Sequence, residues 1–130
     1  MSVGILLITH PGIGNAILSG ARRIVADCPL RAKCLEVPID APIDKVTSQA
    51  GEMARSLDQG DGVLILTDIF GATPNNIARG LEDGEHVRVL AGLSLPMLVR
   101  LFNYPDEDLL QLCATAATGA KRGIGPCNGD

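Results

Sequence analysis

The stretch VGILLITHPGIG, residues 3–14, decides the fold class of this chain. It starts with an unbroken apolar run at residues 3–8 and ends in a turn with proline and glycine. A second apolar run, VLIL at residues 63–66, is followed by TDIFGATP at residues 67–74 in the same arrangement. Continuous apolar runs of this length between helical patterns are typical of parallel strands that are buried on both faces.

Hydrophobic periodicity places helices between these strands. The patterns predict strands at residues 3–8, 33–37, 63–66 and 86–90, and helices at about residues 15–27, 40–57, 73–81, 94–102 and 106–117. This alternation predicts an α/β protein with a single-domain, open, doubly wound sheet, mainly parallel, with helices on both faces. We expect the domain to cover residues 1–120. Residues 121–130 are predicted to form a flexible C-terminal tail.

Composition limits the function. Hydrophobic residues make up 46% of the 130 residues and aromatic residues only 2%, so the core must be aliphatic. The net charge is -4, with no basic stripe and no platform of aromatic side chains on which bases could stack. Nucleic-acid binding is therefore not expected.

The N-terminal apolar run is too short to span a bilayer, and no lysine or arginine precedes it. We therefore expect a cytoplasmic protein without direct membrane insertion. The four cysteines show no C-x-x-C pair and no metal-type spacing, so free, mostly buried thiols and no metal site are predicted. They are Cys28, Cys34, Cys113 and Cys127.

His10 and Asp68 come directly after the two apolar runs, each within one or two residues of a predicted strand end. Ligands of open α/β sheets bind outside the carboxyl ends of the strands, which is where both side chains would lie. A carboxylate beside one imidazole nitrogen fixes the tautomer and exposes the lone pair of the other, as a phosphoryl acceptor or a general base requires. Taken singly, His10 could merely close a strand and Asp68 form a turn. Their pairing on neighbouring strands favours a functional role.

Two other readings of these motifs are weaker. A dinucleotide-binding G-x-G-x-x-G pattern would need a third glycine at Ile17, so Gly12 and Gly14 are interpreted as turn glycines. Asp68 could be the phosphorylated aspartate of a receiver domain, but Thr9 and His10 stand where such domains need acidic residues. No Walker A sequence is present, so ATP is not the expected phosphoryl donor.

Three further polar residues could either belong to the site or serve only the fold or the surface. Thr73 opens the third helix as a predicted N-cap, and its hydroxyl could also donate to a phosphoryl oxygen. Ser94 is interpreted as a plain N-cap, and His86 as a solvated surface residue.

Three motifs together resemble the mannose/fructose-type enzyme IIA family of the bacterial phosphoenolpyruvate-dependent sugar phosphotransferase system. They are ITH at residues 8–10, TDIFGATPNN at residues 67–76 and AGLSLPML at residues 91–98. The resemblance extends from residue 1 to about residue 120, with the motifs in the expected order and spacing.

The resemblance implies a phosphotransferase function. His10 would accept a phosphoryl group from the carrier protein HPr and pass it to a IIB protein, without any cofactor. Asp68 would hydrogen-bond the imidazole and leave Nε2 free, and the Thr73 hydroxyl would receive phosphoryl oxygens. The family more often has serine after two glycines there, whereas this chain has Gly71, Ala72 and a threonine that keeps the hydroxyl.

Partner proteins would need an apolar surface around His10. Ile69, Phe70, Leu95 and Met97 flank the motifs and are the candidates, although core packing is the favoured interpretation for Leu95 and Met97. The IIB acceptor is expected to be a separate protein, because the chain ends at Asp130 without a fused domain. The resemblance also implies a homodimer. Residues 121–126 contain two glycines and a proline and make a poor strand, so strand exchange between subunits is not expected.

Two alternative functions remain open at this point. The chain could be a regulatory binding module whose docking depends on phosphorylation of His10. It could also be the related phosphodonor subunit of dihydroxyacetone kinase, whose second motif lacks the aromatic residue found here at Phe70.

Overall fold

The computed structural model describes residues 2–128, which form four strands and five helices. In chain order these are β1 (Gly4–Thr9), α1 (Gly14–Ile24), β2 (Ala32–Glu36), α2 (Ile43–Leu57), β3 (Val63–Thr67), α3 (Thr73–Arg79), β4 (Val87–Ala91), α4 (Leu95–Phe102) and α5 (Leu109–Arg122).

The strands form one sheet in the order β2-β1-β3-β4, and each neighbouring pair is parallel. Every residue of the two central strands, β1 and β3, is buried. Ile5 and Leu7 face a core shared with α1, α4 and α5, whereas Leu6 and Ile8 face a second core shared with α2 and α3. This explains why the apolar run in β1 is unbroken, and it confirms the predicted α/β class with helices on both faces.

The start of α2 and the N-cap of α3 differ from their predicted positions. Helix α2 begins at Ile43 with Pro42 as its N-cap, three residues after the predicted start at Asp40. Thr73 is the first residue of α3 and Ala72 is its N-cap, so the prediction that Thr73 caps this helix is wrong by one position. The cap predicted at Ser94 is confirmed, since its hydroxyl accepts a hydrogen bond from the backbone N–H of Met97 at 3.2 Å.

Helix α5 is the largest departure from the predicted boundaries. It begins with a capping box between Asp108 and Gln111 and continues to Arg122, five residues beyond the predicted end. A side chain at Gly119 would collide with Arg100, so this glycine allows α5 to pack closely on α4. Packing on α4 therefore keeps helical Lys121 and Arg122, which were predicted to belong to the flexible tail, whereas residues 129 and 130 of that tail lie outside the described residues. Among residues 2–128, no helix is long and apolar enough to cross a membrane.

Candidate functional site

His10 and Asp68 lie at the carboxyl ends of the two central strands and are in direct contact. The imidazole Nδ1 of His10 is 2.7 Å from Oδ2 of Asp68, and the backbone N–H of His10 donates to the same oxygen at 2.9 Å. The His10 side chain is 40% exposed and the Asp68 side chain 9%. The nearly buried carboxylate of Asp68 therefore orients the more exposed imidazole of His10.

The Asp68 carboxylate determines which imidazole nitrogen is available. Partial burial raises the pKa of Asp68, but the hydrogen bonds from the His10 backbone and ring outweigh it, so the pKa lies below 3.8. Asp68 is therefore ionised at neutral pH and can only accept hydrogen bonds. The hydrogen between the two groups consequently sits on Nδ1, and Nε2 of neutral His10 carries the exposed lone pair.

The turn between β1 and α1 explains the two glycines of the first motif. Gly12 has a φ of 81°, a conformation that glycine adopts at little cost. Gly14 leaves no room for a side chain, because a Cβ there would meet Cys34 Sγ and lie 2.8 Å from Thr9 Oγ1. The interpretation of both residues as turn glycines is confirmed.

Glu36, the last residue of β2, is bound to the same turn. Its two carboxylate oxygens accept hydrogen bonds from the backbone N–H groups of Gly12 at 2.9 Å and Asn15 at 3.0 Å. These bonds lower the pKa of Glu36 below its usual 4.5. The sequence reasoning missed this residue, although its place at the carboxyl end of a predicted strand was a usable signal.

Asn75 was also missed, and it holds the loop that carries Asp68. The side chain is 1% exposed, donates from Nδ2 to Thr67 Oγ1 at 2.9 Å, and accepts at Oδ1 from the backbone N–H of Gly71 at 3.1 Å. Its amide thereby connects the end of β3 with the loop leading to α3. No local sequence pattern indicates this role, because an asparagine that becomes buried looks the same in the sequence as one that stays exposed.

A small cavity opens beside His10. Its volume is about 230 Å³, and it is lined by His10, Val37, Pro38, Ile39, Ile43, Thr73 and Pro74. The structure thus brings Thr73 to the same cavity as the imidazole. Apart from these two residues the lining is apolar, which suits a site that partner proteins cover when they dock.

The four apolar residues proposed for the partner surface differ in exposure. Phe70 is 72% exposed, Ile69 57% and Leu95 38%. Met97 is 1% exposed and lies in the core shared by β1, α1, α4 and α5, so assigning it to the surface was wrong. The guanidinium of Arg79 lies 5.8 Å from the centre of the Phe70 ring.

Other polar candidates lie outside this site. His86 is an exposed side chain 3.4 Å from Asp83, as a solvated surface residue should be. The four cysteines are free thiols; Cys127 is exposed and the other three are partly buried. Within residues 2–128, no three His, Cys, Asp or Glu side chains are close enough together to hold a metal ion.

Comparison with known sequences gives a family match. The family described as "PTS system fructose IIA component" (EIIA-man) matches residues 4–117. The mannose-specific EIIAB component of the phosphotransferase system of Escherichia coli strain K12 is 29% identical over 127 residues, which is 95% of this chain. The chain spans only 39% of that relative's length.

Comparison with solved structures agrees on the fold. The mannose/sorbose specific IIA subunit from Enterococcus faecalis has a TM-score of 0.84 at 20% identity, covering 97% of this chain and 95% of its own. A putative phosphoenolpyruvate-dependent phosphotransferase permease from Klebsiella pneumoniae has a TM-score of 0.75 at 26% identity. That match covers 97% of this chain and 90% of the other.

Proposed function

The chain belongs to the EIIA-man family of fructose IIA components of the sugar phosphotransferase system, and we propose that it carries a phosphoryl group on Nε2 of His10. In this proposal phospho-HPr is the donor and a IIB protein or domain is the acceptor. The observation that carries the proposal is the hydrogen-bonded pair of His10 and Asp68 at the cavity.

The transfer step needs little from the protein beyond orientation. The Nε2 lone pair attacks the phosphorus of the donor's phosphohistidine, and a new N–P bond forms as the donor's N–P bond breaks. The donor ring leaves as neutral imidazole when its other nitrogen carries a proton. The phosphorylated His10 ring, with hydrogen still on Nδ1, becomes positively charged, and the Asp68 carboxylate offsets that charge. In the second transfer a nucleophile of the IIB acceptor attacks the same phosphorus, its new bond forms as the Nε2–P bond breaks, and His10 leaves as neutral imidazole with hydrogen on Nδ1.

Thr73 is proposed to bind the transferred group. It shares the cavity with His10, and its hydroxyl can donate to a phosphoryl oxygen. The cavity of about 230 Å³ has room for a phosphoryl group, and its apolar lining excludes water once a partner covers it.

The function is tested first by intact mass after incubation with phosphoenolpyruvate, enzyme I and HPr. We expect an acid-labile gain of one phosphoryl group that is absent when HPr is left out. A His10→Ala variant that remains folded is expected to show no gain. A wild-type protein that stays unmodified, or a His10→Ala variant that is modified equally, would contradict the proposal.

The proposed partner surface can be tested separately. Phe70→Glu is expected to raise the KM for phospho-HPr about tenfold or more, because a charge replaces an exposed apolar contact. Leu110→Glu is the matched control: Leu110 is 62% exposed and adjoins Leu109, which lies near Gly62 at the amino-terminal edge of β3. Equal KM changes in the two variants would contradict a docking role for Phe70.

We further propose that the protein acts in the cytoplasm as a homodimer. Strand β4 pairs only with β3 in residues 2–128, and all five of its residues are only partly buried, so a second subunit can cover their side chains. The outward N–H groups of Val87 and Val89 are already bonded to Asp83 and Glu82. Light scattering after size exclusion is expected to give twice the mass of the 13.6 kDa chain. A mass of one chain at micromolar concentration would refute the dimer without affecting the phosphoryl-transfer proposal.

A further inference from the structure

We propose that Glu36 is a positioning residue for His10, acting through the turn that joins β1 to α1. This inference rests on the proposed function, because the position of His10 matters most if its ring is the phosphoryl acceptor.

Both oxygens of Glu36 are used. Oε1 accepts from the backbone N–H of Gly12 at 2.9 Å, and Oε2 accepts from the backbone N–H of Asn15 at 3.0 Å. These two donors lie on either side of the residue at which α1 begins, Gly14. One rigid carboxylate therefore sets the distance between the turn and the helix.

Glu36 itself is held by the sheet. It pairs with Thr9 in the parallel register of β1 and β2, and the backbone N–H of Val37 donates to the Thr9 carbonyl at 2.8 Å. Thr9 immediately precedes His10 in the chain. The link from Glu36 to the turn consequently closes a short loop of contacts around the residue that carries the imidazole.

The same contacts occupy three of the N–H groups around the start of α1. Gly12 and Asn15 donate to Glu36, and Gly14 donates to Thr9 Oγ1 at 3.0 Å. Because these groups are already hydrogen-bonded and one acceptor is an anion, this turn is unsuited to hold phosphoryl oxygens. The phosphoryl oxygens would therefore bind on the side of the cavity where Thr73 lies.

Only a carboxylate of this length satisfies both N–H groups. In Glu36→Gln one oxygen remains and the other position becomes an NH₂ group, which cannot accept. Glu36→Ala removes both acceptors. Glu52→Gln is the matched control for the lost charge, because Glu52 is an exposed residue of α2.

The first readout needs no partner protein. Amide exchange at Gly12 and Asn15 and the ¹⁵N shifts of the His10 ring are compared in wild type, Glu36→Gln, Glu36→Ala and Glu52→Gln. We expect faster exchange and altered ring shifts in both Glu36 variants only. The rate of His10 phosphorylation by phosphoramidate, in which ammonia leaves as the N–P bond to Nε2 forms, should fall about tenfold in the same variants.

The second readout uses phospho-HPr. Glu36→Gln and Glu36→Ala are expected to lower the single-turnover rate at saturating donor about tenfold, with KM unchanged within about twofold. Circular dichroism verifies that each variant is folded, and Glu36→Gln remains informative if Glu36→Ala is not. Folded variants with wild-type rates and ring shifts would overturn the proposal, whatever their melting temperature. If phospho-HPr does not phosphorylate the wild-type protein, the proposed function is wrong. The phosphoramidate rates and the ring shifts still test the role of Glu36 in that case.

Discussion

One oxygen of Asp68, Oδ2, accepts two hydrogen bonds from His10, one from the ring at 2.7 Å and one from the backbone N–H at 2.9 Å. The aspartate therefore fixes both the main chain and the imidazole of the same residue. Rotation of the ring away from the cavity would break the shorter bond and leave a nearly buried carboxylate with fewer donors.

Asp68→Asn keeps the size of this side chain but removes its charge. We expect it to slow phosphorylation of His10 by phospho-HPr about 10- to 100-fold, because the amide binds the charged phosphohistidine ring less well and no longer enforces one tautomer. Quench-flow measurement of the single-turnover rate checks this, with melting temperature as the control for folding. A folded variant with an unchanged rate would show that Asp68 has no part in the transfer.

Asn75→Ala is expected to destabilise the protein by about 1–3 kcal/mol, because it leaves Thr67 Oγ1 and the Gly71 N–H without their buried partner. Urea unfolding measures the change. Asn76→Ala is the matched control, since Asn76 is exposed and makes only a 3.4 Å hydrogen bond to the Gly71 carbonyl. If both variants lose the same stability, the loop is not held by the Asn75 amide.

Stability should fall in acid. The pKa values of Glu36, Asp68 and Asp83 are all depressed in the folded protein, chiefly by hydrogen bonds from backbone N–H groups. A depressed folded-state pKa means that the unfolded chain binds more protons, so these groups stabilise the fold above pH about 4. This contribution is lost as the pH falls through the folded pKa values. Urea unfolding between pH 7 and pH 3 checks the sign.

Asp83→Asn tests how much the carboxyl group of Asp83 contributes to this pH dependence. Asp83 Oδ1 accepts from the backbone N–H groups of Val87, Glu85 and His86, which lower its pKa. The variant should show a smaller loss of stability between pH 5 and pH 3 than wild type, because one depressed carboxyl is gone. An equal or steeper loss would place the acid sensitivity elsewhere.

Thiol reactivity should differ strongly between cysteines. Burial and the nearby Glu36 charge raise the pKa of Cys34 to about 11, whereas Cys127 is exposed. Because the thiolate is the reactive form, iodoacetamide at pH 8 should label Cys127 first and Cys34 far more slowly. Peptide mapping over time measures both rates, and Cys127→Ser should remove the fast phase. Labelling of Cys34 as fast as Cys127 in the folded protein would be inconsistent with the structure.

The sequence was sufficient to predict a mainly parallel sheet with helices on both faces and the pairing of His10 with Asp68. Runs such as residues 3–8 and 63–66 are apolar at every position only when both faces are covered, and this identified the central strands before any contact was known. The rule that ligands bind at the carboxyl ends then brought His10 and Asp68 together.

The remaining site residues depend on packing that the sequence does not display. Glu36 and Asn75 act through hydrogen bonds to loop backbones, and those donors are defined only once the turns are folded. Met97 illustrates a related difficulty: its position in a motif suggested a surface, but the helical phase set by Ser94 turns it into the core. Thr73 lines the same cavity as His10, although its predicted capping role was wrong.

The site is attached to the two strands that lie at the centre of the sheet, with no residue of either strand exposed. Local unfolding ordinarily begins in segments with few buried contacts, such as the exposed turns at residues 11–13 and 69–71 that follow the pair. His10 and Asp68 are nevertheless each anchored by the buried central strand that precedes them. The pair should therefore separate only when the whole domain unfolds. Loss of phosphoryl acceptance and loss of the fold would then be one cooperative event. At intermediate denaturant concentrations, fewer molecules would be folded, and each folded molecule would accept a phosphoryl group as fast as before.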